Sequence, residues 1–107
     1  MSDYYSLNQI TIAGNIGYVK SNEVVGKDVL NFSVATTDAF KDSKGELKKT
    51  TDWHNVTVWG NHAKALANVL GKGCFVVVTG KQKVNEKDGN KYPYIAADRV
   101  IAVNSKN

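Results

Sequence analysis

Five short β-type segments dominate this chain, and the first three alternate apolar and polar residues with the period of two that a half-buried strand requires. Residues 7–14, LNQITIAG, place Ile10 and Ile12 on one face, after which Gly14 and Gly17 mark a turn. Residues 29–37, VLNFSVATT, put Leu30, Phe32 and Val34 on one side. Residues 53–60, WHNVTVWG, alternate again. Residues 74–84, CFVVVTGKQKV, are apolar first and basic afterwards, and residues 94–103, YIAADRVIAV, form the last segment. The period lengthens between the third and fourth segments. In residues 61–73, NHAKALANVLGKG, the apolar positions Ala63, Leu66, Val69 and Leu70 recur at helical spacing. Asn61 stands where its side chain would cap the helix start, and Gly71 or Gly73 where a left-handed residue would end it.

Three strands, a short helix and two more strands predict an all-β protein. The order is that of the OB-fold, a five-stranded Greek-key barrel with a short helix between strands 3 and 4. At 107 residues, with no internal repeat, the chain is one domain over residues 1–107. Two connections stand out. Residues 38–52 are long and charged, with Gly45 near the middle, and read as a flexible hairpin tip. Residues 85–91 contain Asp88-Gly89, a strong tight-turn signal. Both are expected to project from the barrel as fingers.

Both tryptophans lie in the third segment. Trp53, Asn55, Thr57 and Trp59 share one face, while His54, Val56, Val58 and Gly60 share the other. The valines mark the second face as interior. The first mixes large aromatics with small polar residues. Trp53 and Trp59 are six residues apart, so their Cα atoms are separated by roughly 20 Å and the rings cannot stack on each other. They could stack separate bases of an extended nucleic acid strand. They could equally be packed in a core or against a second subunit, and spacing alone leaves both readings open. His54 faces the valine side without a metal partner, which suits a hydrogen-bonded structural residue.

Composition narrows the function. The net charge is +4, and all but one of the 14 basic residues are lysines, the exception being Arg99. That excess fits an acidic partner such as nucleic acid, or simply a soluble lysine-rich surface. The single cysteine, Cys74, has no intramolecular partner, and with only two histidines there is no zinc-type spacing. No metal and no cofactor are expected. The N-terminal MSDYYSLNQ lacks a signal region, and no apolar run approaches the ~20 residues of a membrane span, so an intracellular protein is expected. A P-loop, a Gly-x-Ser-x-Gly elbow and clustered carboxylates are all missing, which argues against an enzyme.

Several motifs in order resemble those of the bacterial single-stranded DNA-binding proteins, over Leu7 to Val103. ITIAGNIG is similar to that family's first strand and its Gly-Asn-Leu-Gly element. FSVATTDAFKD resembles its second strand and exit. KGELKKTTDWHNVTVWG looks like its Thr-Glu-Trp-His block followed by Val-x-Phe-Gly, and LGKGCFVVVTGK resembles its helix end and fourth strand. The resemblance implies sequence-independent binding and protection of single-stranded DNA in replication, recombination or repair, by a cytoplasmic homotetramer or homodimer. It places Phe40, Trp53 and Trp59 on base-stacking positions and links His54 to subunit assembly.

Phosphates need cations beside the aromatic path. Lys81 and Lys83 share a face of the fourth strand and Lys87 lies on its finger. Lys48 and Lys49 stand nearest Trp53, Lys41 follows Phe40, and Lys72 matches a basic family position. For each, a solvated surface charge is the competing reading.

The departures from the family pattern also carry expectations. Residues 84–91 contain no aromatic where the family often has a fourth stacking residue, leaving Tyr92 or Tyr94 as partial substitutes. Asn55 and Asn61 stand where basic residues are common. The chain stops at Asn107 without the family's acidic-tipped tail. It therefore reads as a truncated form or as a tailless relative of phage or mobile-element origin, in which tail-mediated recruitment of other proteins is not expected. The alternative function is an OB-fold protein-interaction subunit of a replication or primosome complex.

Overall fold

The apolar faces of the five strands turn toward one another and close into a barrel. A computed structural model describes residues 6–24 and 27–104. Residues 1–5, part of the stretch read for a signal region, lie outside the described residues. The strands are β1 (Ile10–Val24), β2 (Lys27–Lys41), β3 (Leu47–Trp59), β4 (Phe75–Lys87) and β5 (Asn90–Ala102), with the helix α1 (Asn61–Ala67) between β3 and β4. They form a closed barrel in the order β1-β2-β3-β5-β4, the arrangement expected of an OB-fold. Neighbours are antiparallel except β3 and β5, which run parallel and pair at only two positions, Val56 with Ile95 and Thr57 with Ala96.

The core follows the alternation. Leu30, Phe32 and Val34 of β2, Val56 and Val58 of β3, Val76 and Val78 of β4, Ile95 of β5 and Ile16 of β1 are buried together. At seven residues, α1 is too short to be stable alone. Ala63 and Leu70 enter the core, Leu66 packs against it, and the buried thiol of Cys74 lies beside them.

Three local readings change. Gly14 and Gly17 do not end β1. The strand runs on past them, pairing with β4 up to Asn15 and with β2 from Asn15 onward, with an irregularity in register between Ile16 and Val19. A Cβ at Gly14 would overlap the carbonyl of Ala35, and one at Gly80 that of Ala96. These glycines permit close backbone approach in a bent strand, the alternative to a turn for glycine in a strand pattern.

The helix starts at Asn61 itself, after Gly60 at φ 75°, and no side chain caps it. Its regular part stops at Ala67, well before Gly71. Leu70 N–H still donates to the Leu66 carbonyl at 2.9 Å, and Gly73, at φ 92°, instead shapes the turn into β4. Leu70, the last residue of the apolar pattern, is buried although it lies beyond the regular helix.

Residues 38–52 are mostly strand, in register from Asp38 with Thr50 to Lys41 with Leu47. Only residues 42–46 form the tip. There the Asp42 carboxylate accepts the N–H groups of Lys44 and Glu46, each at 2.9 Å, and Gly45 takes φ 79°. The second finger turns as expected, with positive φ at both Asp88 and Gly89, the signature of a tight two-residue hairpin.

Phe32 is fully buried at the barrel centre. Phe32→Ala is expected to destabilise the fold by about 3–5 kcal/mol, measured by urea denaturation. A loss below 1 kcal/mol would contradict this packing.

Candidate nucleic-acid interface

The two faces of β3 separate as the alternation requires. Val56 and Val58 are buried, whereas Trp53 is 61% and Trp59 is 45% exposed. Each tryptophan is nevertheless backed by the protein. A Cβ at Gly17 would run into the Trp53 indole and come within 2.8 Å of Ser33 Oγ, so the ring lies over the bare backbone of β1. Ser33, buried beneath it, accepts the Tyr18 N–H at 3.1 Å. Trp59 meets Tyr94 edge to face, with ring centroids 6.4 Å apart at 72°, a favoured aromatic geometry. His54 lies on the inner side with Nε2 2.9 Å from Thr36 Oγ1, which ties β3 to β2. Among the described residues no group of three or more His, Cys, Asp or Glu gathers where a metal ion could bind.

The pairing register places the remaining candidates. Ala35 lies opposite Trp53, and Phe40 opposite Lys48. Phe40 is thus five positions further along β2 than Ala35, roughly 16 Å at ~3.3 Å per residue, and of opposite parity. It is exposed, but on the other face of the β2–β3 finger from Trp53. Lys41 and Lys49 have the parity of the Trp53 face. Lys48 has the parity of Phe40, with Nζ 3.6 Å from Glu46 and 4.0 Å from Asp42; such exposed pairs are weak and can be exchanged for another anion.

On the β4–β5 finger, Lys83 pairs with Tyr94, Asn85 with Tyr92 and Lys87 with Asn90, while Lys81 lies beside Ala96 and so in one row with Thr57. Lys81, Lys83 and Lys87 therefore share the face of the two tyrosines. Lys72 stands apart, in the turn that Gly73 N–H pins to the Ile16 carbonyl at 2.8 Å, at the other end of β4.

Between the fingers lies a groove. Tyr18 and Lys20 of β1, Asn31, Asn55 and Thr57 of the sheet, and Tyr92 of β5 enclose about 290 Å³ of it. A smaller hollow of about 190 Å³ between Trp53 and Tyr94 continues it where β3 and β5 diverge. The sequence pattern marks Gly17 only as part of a turn and does not single out Tyr18, Lys20 or Asn31. Strict alternation from Ile10 and Ile12 would send Tyr18 and Lys20 inward. The irregularity between Ile16 and Val19 reverses the parity and turns both outward.

Comparison with known proteins agrees with this geometry. The sequence model of the single-strand binding protein family matches residues 7–102. The chain is 34% identical over 87 residues to a single-stranded DNA-binding protein of Chlorobaculum tepidum, covering 79% of this chain and 54% of that protein. It is also 34% identical over 89 residues to one of Neisseria meningitidis, covering 78% and 51%. The chain thus spans about half the length of these curated relatives. Among solved structures, Plasmodium falciparum SSB in complex with ssDNA matches with a TM-score of 0.81 at 27% identity, over 96% of this chain and 100% of that one. A deletion mutant of the single-stranded DNA binding protein from Thermus aquaticus gives 0.78 at 25% identity, over 91% and 50%.

The seat under Trp53 is testable by itself. In a Trp59→Phe background, Gly17→Ala is expected to lift the Trp53 ring and increase its quenching by acrylamide, with the circular dichroism spectrum preserved. Unchanged emission and quenching would mean that the ring does not rest on Gly17.

Proposed function

The chain belongs to the single-strand binding protein family, and we propose that its barrel binds single-stranded DNA without strict sequence preference and without catalysing a reaction. The observation that carries this reading is the display of Trp53 and Trp59 on one rigid strand, each supported from below and each open to solvent. Every base offers a flat π-face, so such rings accept any sequence, at about 1–3 kcal/mol per stacked base. Lys41 and Lys49 on one finger and Lys81, Lys83 and Lys87 on the other flank the rings. Along that path they exchange counterions for phosphate.

Phe40, Lys48 and Lys72 serve a strand that leaves the groove. Phe40 and Lys48 meet DNA that turns around the edge of the β2–β3 finger, and Lys72 meets it beyond the helix. His54 acts structurally, through Thr36. The protein works in the cytoplasm, protecting single strands exposed in replication, recombination or repair. Tyr92, 52% exposed on the finger face, supplies the aromatic surface that residues 84–91 lack. This favours strand binding over a purely protein-interacting role.

Assembly is proposed from the opposite side of the barrel. Ala13, Val77 and Ile101 lie side by side across β1, β4 and β5, with exposed Phe75 and Val103 next to them. An apolar patch of this kind marks a protein contact, and we assign it to a homotetramer, with a homodimer as the smaller alternative.

Two measurements test these readings. Trp53→Ala/Trp59→Ala should remain folded and bind labelled oligo-dT at least about 30-fold more weakly, the loss of two stacks at their lower bound. Undiminished affinity in the folded variant would end the stacking assignment. Native mass spectrometry should show a tetramer that Ile101→Glu reduces to smaller species, and a monomeric wild type would exclude the assembly.

A further inference from the structure

Ser33 is the only polar side chain buried among the described residues, at 3% exposure, and it is not buried by the core. The core takes Phe32 and Val34 of β2. Ser33 between them therefore faces out of the barrel, on the side of Trp53 and Asn55. What covers it is the ligand face itself. A Cβ at Gly17 would overlap the Trp53 indole and lie 2.8 Å from Ser33 Oγ. Gly17, Ser33 and Trp53 thus meet at one place, with no room for a side chain on β1 between them.

A buried hydroxyl requires a partner, and the register shows which one this position supplies. Ile16 lies opposite Val34 and Val19 opposite Phe32. Gly17 and Tyr18 therefore share the single position Ser33, the two-against-one count of a β-bulge. The extra residue disrupts the ladder, and there the Tyr18 N–H donates to a side chain, Ser33 Oγ, at 3.1 Å. The core fixes the chain on either side, because Ile16 is buried in it and Val19 packs against it. The hydroxyl fixes what lies between, the bare backbone of Gly17 on which the Trp53 ring rests.

We infer that Ser33 is a positioning residue for base stacking: its hydroxyl holds the β1 bulge in the geometry that seats the Trp53 ring, and the ring in turn shields that bond from water. The inference rests on the single-strand binding proposed above and explains how one of its rings is held. A ring already held loses little freedom when a base arrives, and preorganisation of this kind adds affinity. Ser33, covered by the ring, touches no base.

Two substitutions test the hydroxyl. Ser33→Ala removes the acceptor, and Ser33→Cys keeps the volume while offering only a weak one. Each should bind labelled oligo-dT roughly 2-fold to 10-fold more weakly, the cost of ordering one side chain on binding. No cation moves, so the salt dependence of affinity should keep its wild-type slope. In a Trp59→Phe background both variants should increase the acrylamide quenching of Trp53. In a Trp53→Ala background Ser33→Ala should cost little further affinity, since the positioning acts through the ring. Val78→Ala, a core truncation on β4, should lower stability to urea and change neither quenching nor affinity.

Wild-type affinity and quenching in both Ser33 variants would overturn the positioning role. So would a full additional loss in the Trp53→Ala background, or an equal rise in quenching in Val78→Ala, which would point to general loosening. If Ser33→Ala alone unfolds, as judged by circular dichroism, Ser33→Cys decides. Unfolding of both would overturn the inference, because the hydroxyl would then hold the barrel and not the ring. In each of these cases single-strand binding by the wild type stands. A wild type that binds no oligo-dT would defeat the single-strand reading itself, and the positioning role with it.

Discussion

The two-residue parallel contact between β3 and β5 is the constraint on which the rest of the architecture turns. It closes the barrel at Val56–Ile95 and Thr57–Ala96 and goes no further. Both strands are 13 residues long, so most of each is left to pair on its other side only. β3 continues with β2 and β5 continues with β4, and the two hairpins diverge from the closure point. The groove is the space that this divergence opens. Longer pairing would zip the fingers together and bury Trp53 against Tyr94. No pairing at all would leave Ile95 and Val56 in water and the barrel without a closed core.

Display of large aromatic rings is costly unless the rings are held. A free tryptophan on a surface exposes apolar area and loses rotamer freedom when a ligand arrives. Here the fold removes much of that second cost in advance. Trp53 rests where β1 has no side chain, over Gly17, and Trp59 meets the edge of Tyr94. The supports come from β1 and β5, the strands on either side of the groove. The orientation of both rings therefore depends on barrel closure and not on β3 alone. His54 contributes from beneath by joining β3 to β2 through Thr36.

Much of this was legible in the sequence, for a definite reason. Where a strand buries one face, alternation reports it, and Phe32, Val34, Val56, Val58, Val76 and Val78 all lie where their parity sends them. The finger strands bury neither face. Thr37, Asp38, Lys48, Lys49 and Thr50 are exposed on both sides of a two-stranded ribbon, so no apolar rhythm marks them and they read as a loop. The cradle of Asp42 at the tip depends on two backbone N–H groups that no pattern announces. The helix end departs from the pattern because Val69 completes an apolar stripe yet remains exposed, while Leu70 is drawn into the core. Tyr18 escaped notice because the register irregularity reverses the parity between Ile16 and Val19. Motif order brings Phe40, Trp53 and Trp59 together as candidates, but only the register shows that Phe40 and Trp53 lie on opposite faces of one finger.

That opposition bears on how a strand must travel. Trp53, Trp59, Tyr92 and Tyr94 can be met by a chain that stays within the groove, with Lys81, Lys83 and Lys87 along one wall. Phe40 and Lys48 can be met only by a chain that passes around the finger edge. The lysine side chains suit such a path, because they lie along both ribbons and remain exposed. Long, mobile ammonium groups follow a flexible phosphate backbone without demanding one geometry, whereas guanidinium forks would fix it. On the proposed reading, a chain whose basic residues are lysines in all but one case would hold the backbone loosely and the bases firmly. The barrel supplies the rigid part of the contact, and the fingers supply the part that adapts.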